Sequence, residues 1–284
     1  MQIITTKEEL QRVTDACKGE GKTIGLVPTM GALHEGHASL VRRAVSENDI
    51  CVVSVFVNPT QFNNKEDLVL YPRNLQRDAE LLESIGAHYV FAPTPEEMYS
   101  AEEMNETFEF DFNGLDKVME GKMRPGHFNG VVQVVSRLFY LVRPDRAYFG
   151  EKDFQQLAII RFMVERSALA GTFGKLQIIG CPIVREASGL ALSSRNERLS
   201  AEEKNTAVAI SRTLKDSLDW AKTESVKEVE KRVADTINSV EGLETEYYEI
   251  VDKTTLLPTD TFANAIGCVT VYCGKVRLID NIQY

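Results

Sequence analysis

The 284-residue sequence predicts an α/β fold in which a Rossmann-like parallel sheet with helices on both faces precedes a smaller α+β domain. Three observations lead to this prediction. Short apolar segments alternate with amphipathic segments as far as about residue 180, two charged helical segments follow near Ser200, and three strand-like segments end the chain. Strands that alternate with helices favour a parallel sheet that is covered on both faces.

The apolar segments of the first part predict strands at residues 24–27, 50–57, 89–92, 147–149 and 177–179. Apolar residues at three- and four-residue spacing predict the helices between them. The first of these helices begins just before Ala38, and the others cover residues 74–85, 131–141 and 154–168. Phenylalanine alternates with acidic residues over 108–112, which predicts a half-exposed strand outside the main sheet.

The second part of the chain predicts two helices and a small antiparallel sheet. Residues 201–223 and 225–240 have amphipathic patterns rich in Lys, Glu and Asp, and strand-like segments follow at 246–251, 263–272 and 275–279. We therefore expect two domains, residues 1–186 and residues 187–284.

Composition narrows the class of protein. The formal net charge of -10 disfavours a nucleic-acid partner, since a protein that holds a polyanion needs a basic face. No apolar run approaches the roughly 20 residues that cross a bilayer, and the N-terminus lacks the layout of a signal peptide. Five scattered cysteines show no metal-ligand spacing and indicate free thiols. We expect a cytoplasmic protein without a membrane partner.

Residues 28–37 form the most informative motif. They lie between the first predicted strand and a helix, so His34 and His37 occupy a strand-to-helix turn. Free backbone N–H groups and the helix dipole favour an anion there, and Gly31 and Gly36 allow close approach of a ligand. The motif is similar to the His-x-Gly-His signature of nucleotidyltransferases, which transfer an adenylyl group. The alternative is a pair of structural histidines, but the strand, glycines and helix favour the functional interpretation.

Two further motifs follow the predicted strands. Asn58 and Gln61 supply amides at a strand end, which suits a polar substrate, although an ordinary Asn-Pro turn explains the same residues. Residues 122–130, which include Arg124, combine cations with glycine and proline. They predict a mobile flap that closes over phosphates, or alternatively a solvated loop.

Two more motifs carry phosphate-binding chemistry. At the junction 149–156, Lys152 can neutralise charge on a transferring phosphoryl group and Asp153 can accept from a ribose hydroxyl, although an Asp there is also a common helix cap. Residues 192–196 offer two hydroxyls and a cation, which can bind the β- and γ-phosphates. The alternative interpretation of this segment is a serine-rich interdomain turn. Residues 19–23 end in Gly-Lys-Thr, but they lack the first glycine of a P-loop and precede a strand, so we interpret them as a turn.

Taken together and in this order, the five motifs resemble those of the pantothenate synthetase (pantoate–β-alanine ligase) family. The resemblance implies ATP-dependent amide formation between pantoate and β-alanine through an enzyme-bound pantoyl adenylate, with release of pyrophosphate and AMP. ATP would be a substrate, Mg²⁺ would lie on its phosphates without a protein ligand, and the enzyme would be a homodimer. The C-terminal domain would close over the active site. The family usually has Met where this chain has Leu192, and commonly has Thr where it has Gln133.

The resemblance also assigns roles by position. ATP contacts fall on Met30, Gly31, His34, His37, Gly150, Lys152, Asp153, Val184, Ser193, Ser194 and Arg195. Substrate contacts fall on Gln61, Gln156, Asn58 and Arg124, and the catalytic candidates are His37, His34 and Lys152. Two alternatives stay open: a nucleotidylyltransferase of the same superfamily that acts on another small substrate, and a non-catalytic nucleotide-binding module.

Overall fold

The N-terminal part of the chain forms a six-stranded parallel sheet in the order β1-β4-β3-β2-β5-β6. The computed structural model describes residues 1–63, 65–105, 108–166 and 175–284. The strands are β1 Gln2–Ile4, β2 Ile24–Thr29, β3 Ile50–Val55, β4 Tyr89–Phe91, β5 Arg146–Gly150 and β6 Gln177–Cys181. The apolar runs of β2 and β3 are buried, because helices cover the sheet on both faces.

Helices pack against each face of this sheet. The helices of this part of the chain are, in order, α1 Lys7–Gly19, α2 Glu35–Glu47, α3 Lys65–Leu70, α4 Leu75–Ile85, α5 Pro95–Met98, α6 Ala101–Asn105, α7 Met119–Met123, α8 His127–Val142 and α9 Phe154–Arg166. One core contains Leu10 of α1, Leu138 of α8 and Ile160 of α9. A second core contains Val41 of α2 and Leu82 of α4. The predicted Rossmann-like arrangement is confirmed.

The C-terminal part forms a three-stranded antiparallel sheet in the order β7-β8-β9 with two helices. Its elements are α10 Ala201–Trp220, α11 Val226–Asn238, β7 Leu243–Asp252, β8 Ala265–Cys273 and β9 Val276–Gln283. Ser200 and Ser225 begin the two helices with capping boxes, in which the serine and a glutamate three residues later satisfy backbone N–H groups. This part also matches the predicted architecture.

Two local predictions are wrong. Residues 108–112 form no strand: Phe112 is buried and Phe110 packs on the core, but the backbone N–H of Phe110 donates to the Asn129 side chain instead of a neighbouring strand. The alternation therefore reflects packing of the rings. The loop conformation expected for residues 122–130 is also wrong, because α7 ends at Met123 and α8 begins at His127, whereas closure of this segment over phosphates stays a prediction. The end of the predicted helix 154–168 lies outside the described residues.

Two predictions from composition can be compared with the structure. Each of the five cysteines is buried and free, as the scattered spacing indicates. Across the described ranges, no helix has the length and apolar character required to cross a membrane.

Candidate active site

A cleft of about 220 Å³ lies beyond the carboxyl ends of β2 and β5. Such an edge is where parallel α/β sheets bind ligands. The predicted site residues that line the cleft are Met30, His34, His37, Gln61, Gly150, Lys152, Asp153, Gln156, Val184, Ser193, Ser194 and Arg195. Gly31, Asn58 and Arg124 do not line it. The fold thus brings together residues from four of the five motifs, and the segment around Arg124 is the fifth.

The two histidines bind the backbone of the turn that carries them. His34 is the N-cap of α2, and its Nδ1 accepts from the N–H of Gly36 at 3.1 Å. The Nδ1 of His37 accepts from the N–H of His34 at 3.4 Å, and the ring centroids are 4.1 Å apart. Two amide groups that the sequence suggested for an anion are therefore occupied by imidazole rings. With Nδ1 as acceptor, each neutral ring carries its hydrogen on Nε2.

The electrostatics of the pair favour neutral rings. Burial, together with the charge of Lys152, lowers the pKa of His34 to about 4. Burial, His34 and Lys152 lower the pKa of His37 to about 3. At neutral pH both rings are hydrogen-bond donors through Nε2 and carry no positive charge. The cations among the cleft residues are instead Lys152 and Arg195.

Gly31 acts through the backbone. Its φ of +79° lies in the left-handed region, and a Cβ there would lie 2.9 Å from a carboxylate oxygen of Asp78. That carboxylate accepts from the N–H groups of Ala32 at 2.9 Å and Leu33 at 2.7 Å. Asp78 thereby fixes the turn in front of the histidines, a role that the sequence did not suggest because Asp78 resembles an ordinary first-turn acid of α4.

Lys152 lies in a 3₁₀ turn, Glu151–Asp153, between β5 and α9. Its Nζ is 3.5 Å from the Asp153 carboxylate, and 16% of its side chain is exposed. Asn281 of β9 donates to the backbone carbonyls of Glu151 at 2.8 Å and Lys152 at 3.1 Å. The C-terminal sheet therefore supports the turn that presents the lysine to the cleft.

The hydroxyl-rich segment closes the other side of the cleft. Ser193 caps a 3₁₀ turn, Ser194–Arg198, and the hydroxyl of Ser194 donates to the carbonyl of Ala32 at 3.1 Å. This bond ties the segment to the histidine turn. Leu192 also lines the cleft, and its N–H donates to the carbonyl of Val184 at 3.0 Å. The leucine that departs from the family pattern thus occupies an apolar lining position.

Gln61 and Asn58 have different positions. The Oε1 of Gln61 accepts from Asn58 at 3.3 Å, and its Nε2 contacts the sulfur of Met30 at 3.0 Å, so the amide nitrogen lies on the cleft side. Asn58 is fully buried, donates also to the Gly130 carbonyl, and accepts from Tyr99 at 2.9 Å. The side-chain amide of Asn58 is thus hydrogen-bonded within the protein. Asn58 therefore supports Gln61 and does not reach the cleft.

A matching family profile decides the family of the chain. Residues 2–283 match the profile described as pantoate-beta-alanine ligase. The chain belongs to this family.

Relatives and solved structures agree with the family assignment. The pantothenate synthetases of Phocaeicola vulgatus and Porphyromonas gingivalis are 59% and 52% identical to the chain, and each alignment covers 100% of the chain and 99% of the relative. A crystal structure of pantothenate synthetase from Thermus thermophilus has a TM-score of 0.89 at 42% identity, covering 100% of this chain and 99% of that chain. The pantoate-beta-alanine ligase from Francisella tularensis, complexed with beta-gamma ATP and beta-alanine, has a TM-score of 0.83 at 35% identity, with coverage of 100% and 97%.

As a member of the pantoate-beta-alanine ligase family, the chain is an enzyme of the ligase class. This finding excludes the non-catalytic module and favours the ligase over the nucleotidylyltransferase alternative. The cleft of this ligase is also lined by residues to which the sequence alone assigned no role. They include Phe56, Tyr71 and a stripe of α8 formed by Val131, Val134, Val135 and Leu138. The stripe has the i, i+3, i+4, i+7 spacing of one helix face, which is visible in the sequence but indistinguishable there from a core face.

Within the described ranges of this ligase, no group of three or more His, Cys, Asp or Glu is arranged to hold a metal ion. A second cavity of about 50 Å³ adjoins the cleft and shares Lys152, Asp153, Gln156 and Arg195 with it. Arg124 lines this second cavity beside His127 and Glu120. The predicted substrate contact of Arg124 therefore lies next to the cleft and not inside it.

Proposed function

We propose that the chain condenses pantoate with β-alanine to pantothenate at the expense of ATP, through an enzyme-bound pantoyl adenylate. The family assignment supports the overall reaction. The Francisella ligase, whose structure is a complex with beta-gamma ATP and beta-alanine, supports the choice of ATP and β-alanine. The adenylate intermediate and the release of pyrophosphate and AMP are our proposal from the chemistry of the cleft.

The observation that carries the proposal is that residues of two chemical kinds line one cleft, and we assign each kind to one end of it. One end combines the imidazole donors of His34 and His37 with Lys152, Arg195 and the serines of the neighbouring turn. That set suits a triphosphate. The other end combines the amides of Gln61 and Gln156 with the apolar stripe of α8. Amide donors suit a carboxylate, and the stripe suits the two methyl groups of pantoate.

In the first step, a carboxylate oxygen of pantoate attacks the α-phosphorus of ATP. The bond from that phosphorus to the bridging oxygen breaks, and its electrons leave with pyrophosphate. Lys152 and Arg195 stabilise the charge on the phosphates, while the Nε2–H groups of His34 and His37 donate to phosphate oxygens. Two anions must meet in this step, so positioning and charge stabilisation supply the catalysis and no protein nucleophile is needed.

The family resemblance implies an Mg²⁺ ion on the ATP phosphates, and such an ion would supply further neutralisation of phosphate charge. Asp153 follows the carboxyl end of β5 and lies beside Lys152 in the cleft, and we assign it with Gly150 to the ribose.

In the second step, the neutral amine of β-alanine attacks the acyl carbon of the adenylate. An amide bond forms, the bond between the acyl carbon and the phosphate oxygen breaks, and AMP leaves with that electron pair. The amine loses one proton to solvent or to the departing phosphate. The apolar stripe of α8 limits water at the acyl carbon, because hydrolysis of the mixed anhydride competes with the amine.

Isotope exchange between pyrophosphate and ATP tests the proposal. We expect pantoate alone to support exchange without β-alanine, and a panel of other carboxylic acids to support it poorly. Exchange that strictly requires the amine would rule out the separate adenylate. Exchange with an unrelated acid in preference to pantoate would overturn the substrate assignment.

Four properties remain predictions. The C-terminal domain, residues 187–284, is expected to close over the cleft, and the ligase is expected to form a homodimer. We also expect it to be cytoplasmic and to bind no nucleic acid. Sedimentation velocity tests the oligomeric state.

A further inference from the structure

Glu120 of α7 lies at the centre of a largely buried polar cluster on the C-terminal sheet. Its carboxylate accepts from both terminal nitrogens of Arg277 at 2.8 and 2.7 Å, from the Tyr247 hydroxyl at 2.8 Å and from Thr270 at 2.9 Å. These three donors belong to β9, β7 and β8. The Glu120 side chain is 13% exposed. Four hydrogen bonds therefore join α7 to the C-terminal sheet at one carboxylate.

The charges of this cluster are balanced. Arg124 lies 3.8 Å from the second oxygen of Glu120, and the Nε of Arg277 donates to Glu246 at 2.9 Å. Two carboxylates thus face two guanidinium groups. Burial opposes ionisation of Glu120, but the hydrogen bonds and charge of Arg277 outweigh it and lower the pKa of Glu120 to about 2. The carboxylate is therefore charged at neutral pH.

A chain of contacts runs from this cluster to the substrate end of the cleft. Arg124 donates to the Nε2 of His127 at 3.2 Å, and the Nδ1 of His127 donates to the backbone carbonyl of Gln61 at 2.8 Å. Burial, with the neighbouring charge of Arg124, lowers the pKa of His127 to about 3, which matches an imidazole that accepts at Nε2. The route from Glu120 to Gln61 therefore passes through two side chains.

We propose that Glu120 and Arg277 are positioning residues for the carboxylic-acid substrate, because they fix Gln61 through Arg124 and His127. Without the Glu120 charge, Glu246 is the one carboxylate of the cluster that remains to balance Arg124 and Arg277, and Arg124 moves away from His127. The imidazole then loses the partner that fixes its orientation, and the Gln61 carbonyl loses a fixed donor. The C-terminal sheet thereby contributes to acid binding although no residue of it lines the Gln61 end of the cleft.

The test compares Glu120→Gln with the wild type in steady-state kinetics and in pyrophosphate exchange. This proposal rests on the proposed function, so pantoate-dependent exchange by the wild-type enzyme is established first. Glu120→Gln keeps the size of the side chain and removes its charge. We expect the KM for pantoate to rise about tenfold, the scale of a displaced hydrogen bond to a charged group, while the KM for ATP stays within about twofold.

A milder variant and a distant control separate positioning from stability. Tyr247→Phe removes one donor to Glu120 without a change of charge, and a rise of about two- to threefold in the pantoate KM is expected. Asp145→Asn breaks the ion pair in which the Nζ of Lys18 lies 2.6 Å from a carboxylate oxygen of Asp145. This pair lies at the end of the parallel sheet opposite the cleft, where β2 begins. It should leave both KM values at the wild-type level.

A double-mutant cycle tests the route. If Glu120 acts through His127, the pantoate KM of Glu120→Gln/His127→Gln is close to that of the worse single variant. Effects that multiply would show two independent roles and overturn the route. Equal increases in the KM for ATP and for pantoate, or a Glu120→Gln enzyme that behaves like Asp145→Asn, would overturn the positioning role itself.

Discussion

The backbone N–H of His34 donates to the Nδ1 of His37 at 3.4 Å, so one histidine of the turn fixes the ring of the other. The bond occupies Nδ1 and leaves Nε2 of His37 as the hydrogen donor on the cleft side. His37 therefore has two separable functions. It caps the backbone at one ring nitrogen, and we propose that the other donates to ATP.

Two substitutions separate the functions of His37. His37→Asn keeps an acceptor near the Nδ1 position and loses the donor, so single-turnover adenylate formation should slow by about 10²–10³ with little change in stability. His37→Gln reaches the Nε2 position with an amide, so it should keep more of the rate and lose stability. Rapid-quench kinetics and denaturant unfolding measure the two effects. Identical rates for both variants would remove the Nε2 donor from the mechanism.

Lys152 should matter for the rate of adenylation more than for the fold. Lys152→Met keeps an apolar stem of similar length and removes the charge, and we expect adenylate formation to fall by about 10²–10³. Lys18→Met, which breaks the ion pair with Asp145 away from the cleft, is the matched control and should keep the wild-type rate. Normal adenylate formation by Lys152→Met would exclude this lysine from charge stabilisation.

Gly31 can be compared with Gly21, which has a similar φ. Gly31 has φ +79° and Gly21 φ +74°, but a Cβ at Gly21 meets nothing within 4 Å. Both alanine variants carry backbone strain of about 1–2 kcal/mol. Gly31→Ala also displaces Asp78, so it should lower the free energy of unfolding by about 1–3 kcal/mol more than Gly21→Ala does. Only Gly31→Ala should weaken ATP binding, which calorimetric titration checks. Equal effects of both variants would mean that the Asp78 contact is unimportant.

The unfolding free energy should fall in acid because of the buried histidines. Burial and the charge of Arg124 lower the pKa of His127 from 6.5 to about 3. Between these two pH values the His127 imidazole is therefore protonated in the unfolded chain and neutral in the folded chain. Stability therefore rises with pH across the window from about 3 to 6.5 and is fully recovered above it. At pH 5 the cost for His127 is about 2 kcal/mol relative to pH 7.5.

The variant His127→Gln isolates this contribution. Urea unfolding at pH 7.5 and at pH 5 should show a loss on acidification that is about 2 kcal/mol smaller than in the wild type. Burial also lowers the pKa of His34 and His37, so part of the acid sensitivity should remain in the variant. An unchanged pH dependence would mean that His127 is protonated in the folded protein.

Local patterns predicted most of the fold, whereas contacts between distant segments decided the rest. The histidine turn could be predicted because its strand, glycines and helix are contiguous in the sequence. Strand β1 has only three residues and pairs with β4, more than eighty residues away, so no local pattern reveals it. Asn58 follows a strand as a ligand-binding amide would, but its partners Tyr99 and Gly130 are 41 and 72 residues away.

Gln61 provides the test that separates acid binding from nucleotide binding. Asn58 holds its Oε1, so the Nε2 group is oriented as a donor on the cleft side, where the carboxylate of pantoate is proposed to lie. Gln61→Ala should weaken pantoate binding by about ten- to hundredfold, the range for a lost hydrogen bond to a charged group, with ATP affinity nearly unchanged. Calorimetric titration with each ligand measures both.

Gln133 is the matched control for Gln61, since it is also buried but lies on α8 outside the cleft lining. Gln133→Ala should leave pantoate affinity at the wild-type level and change only the stability of the protein. Equal losses of ATP and pantoate affinity in Gln61→Ala would mean that Gln61 only supports the local fold. Unchanged pantoate affinity would place the acid site at Gln156 and the α8 stripe without Gln61, because these are the remaining groups at that end of the cleft that fit a carboxylate and two methyl groups.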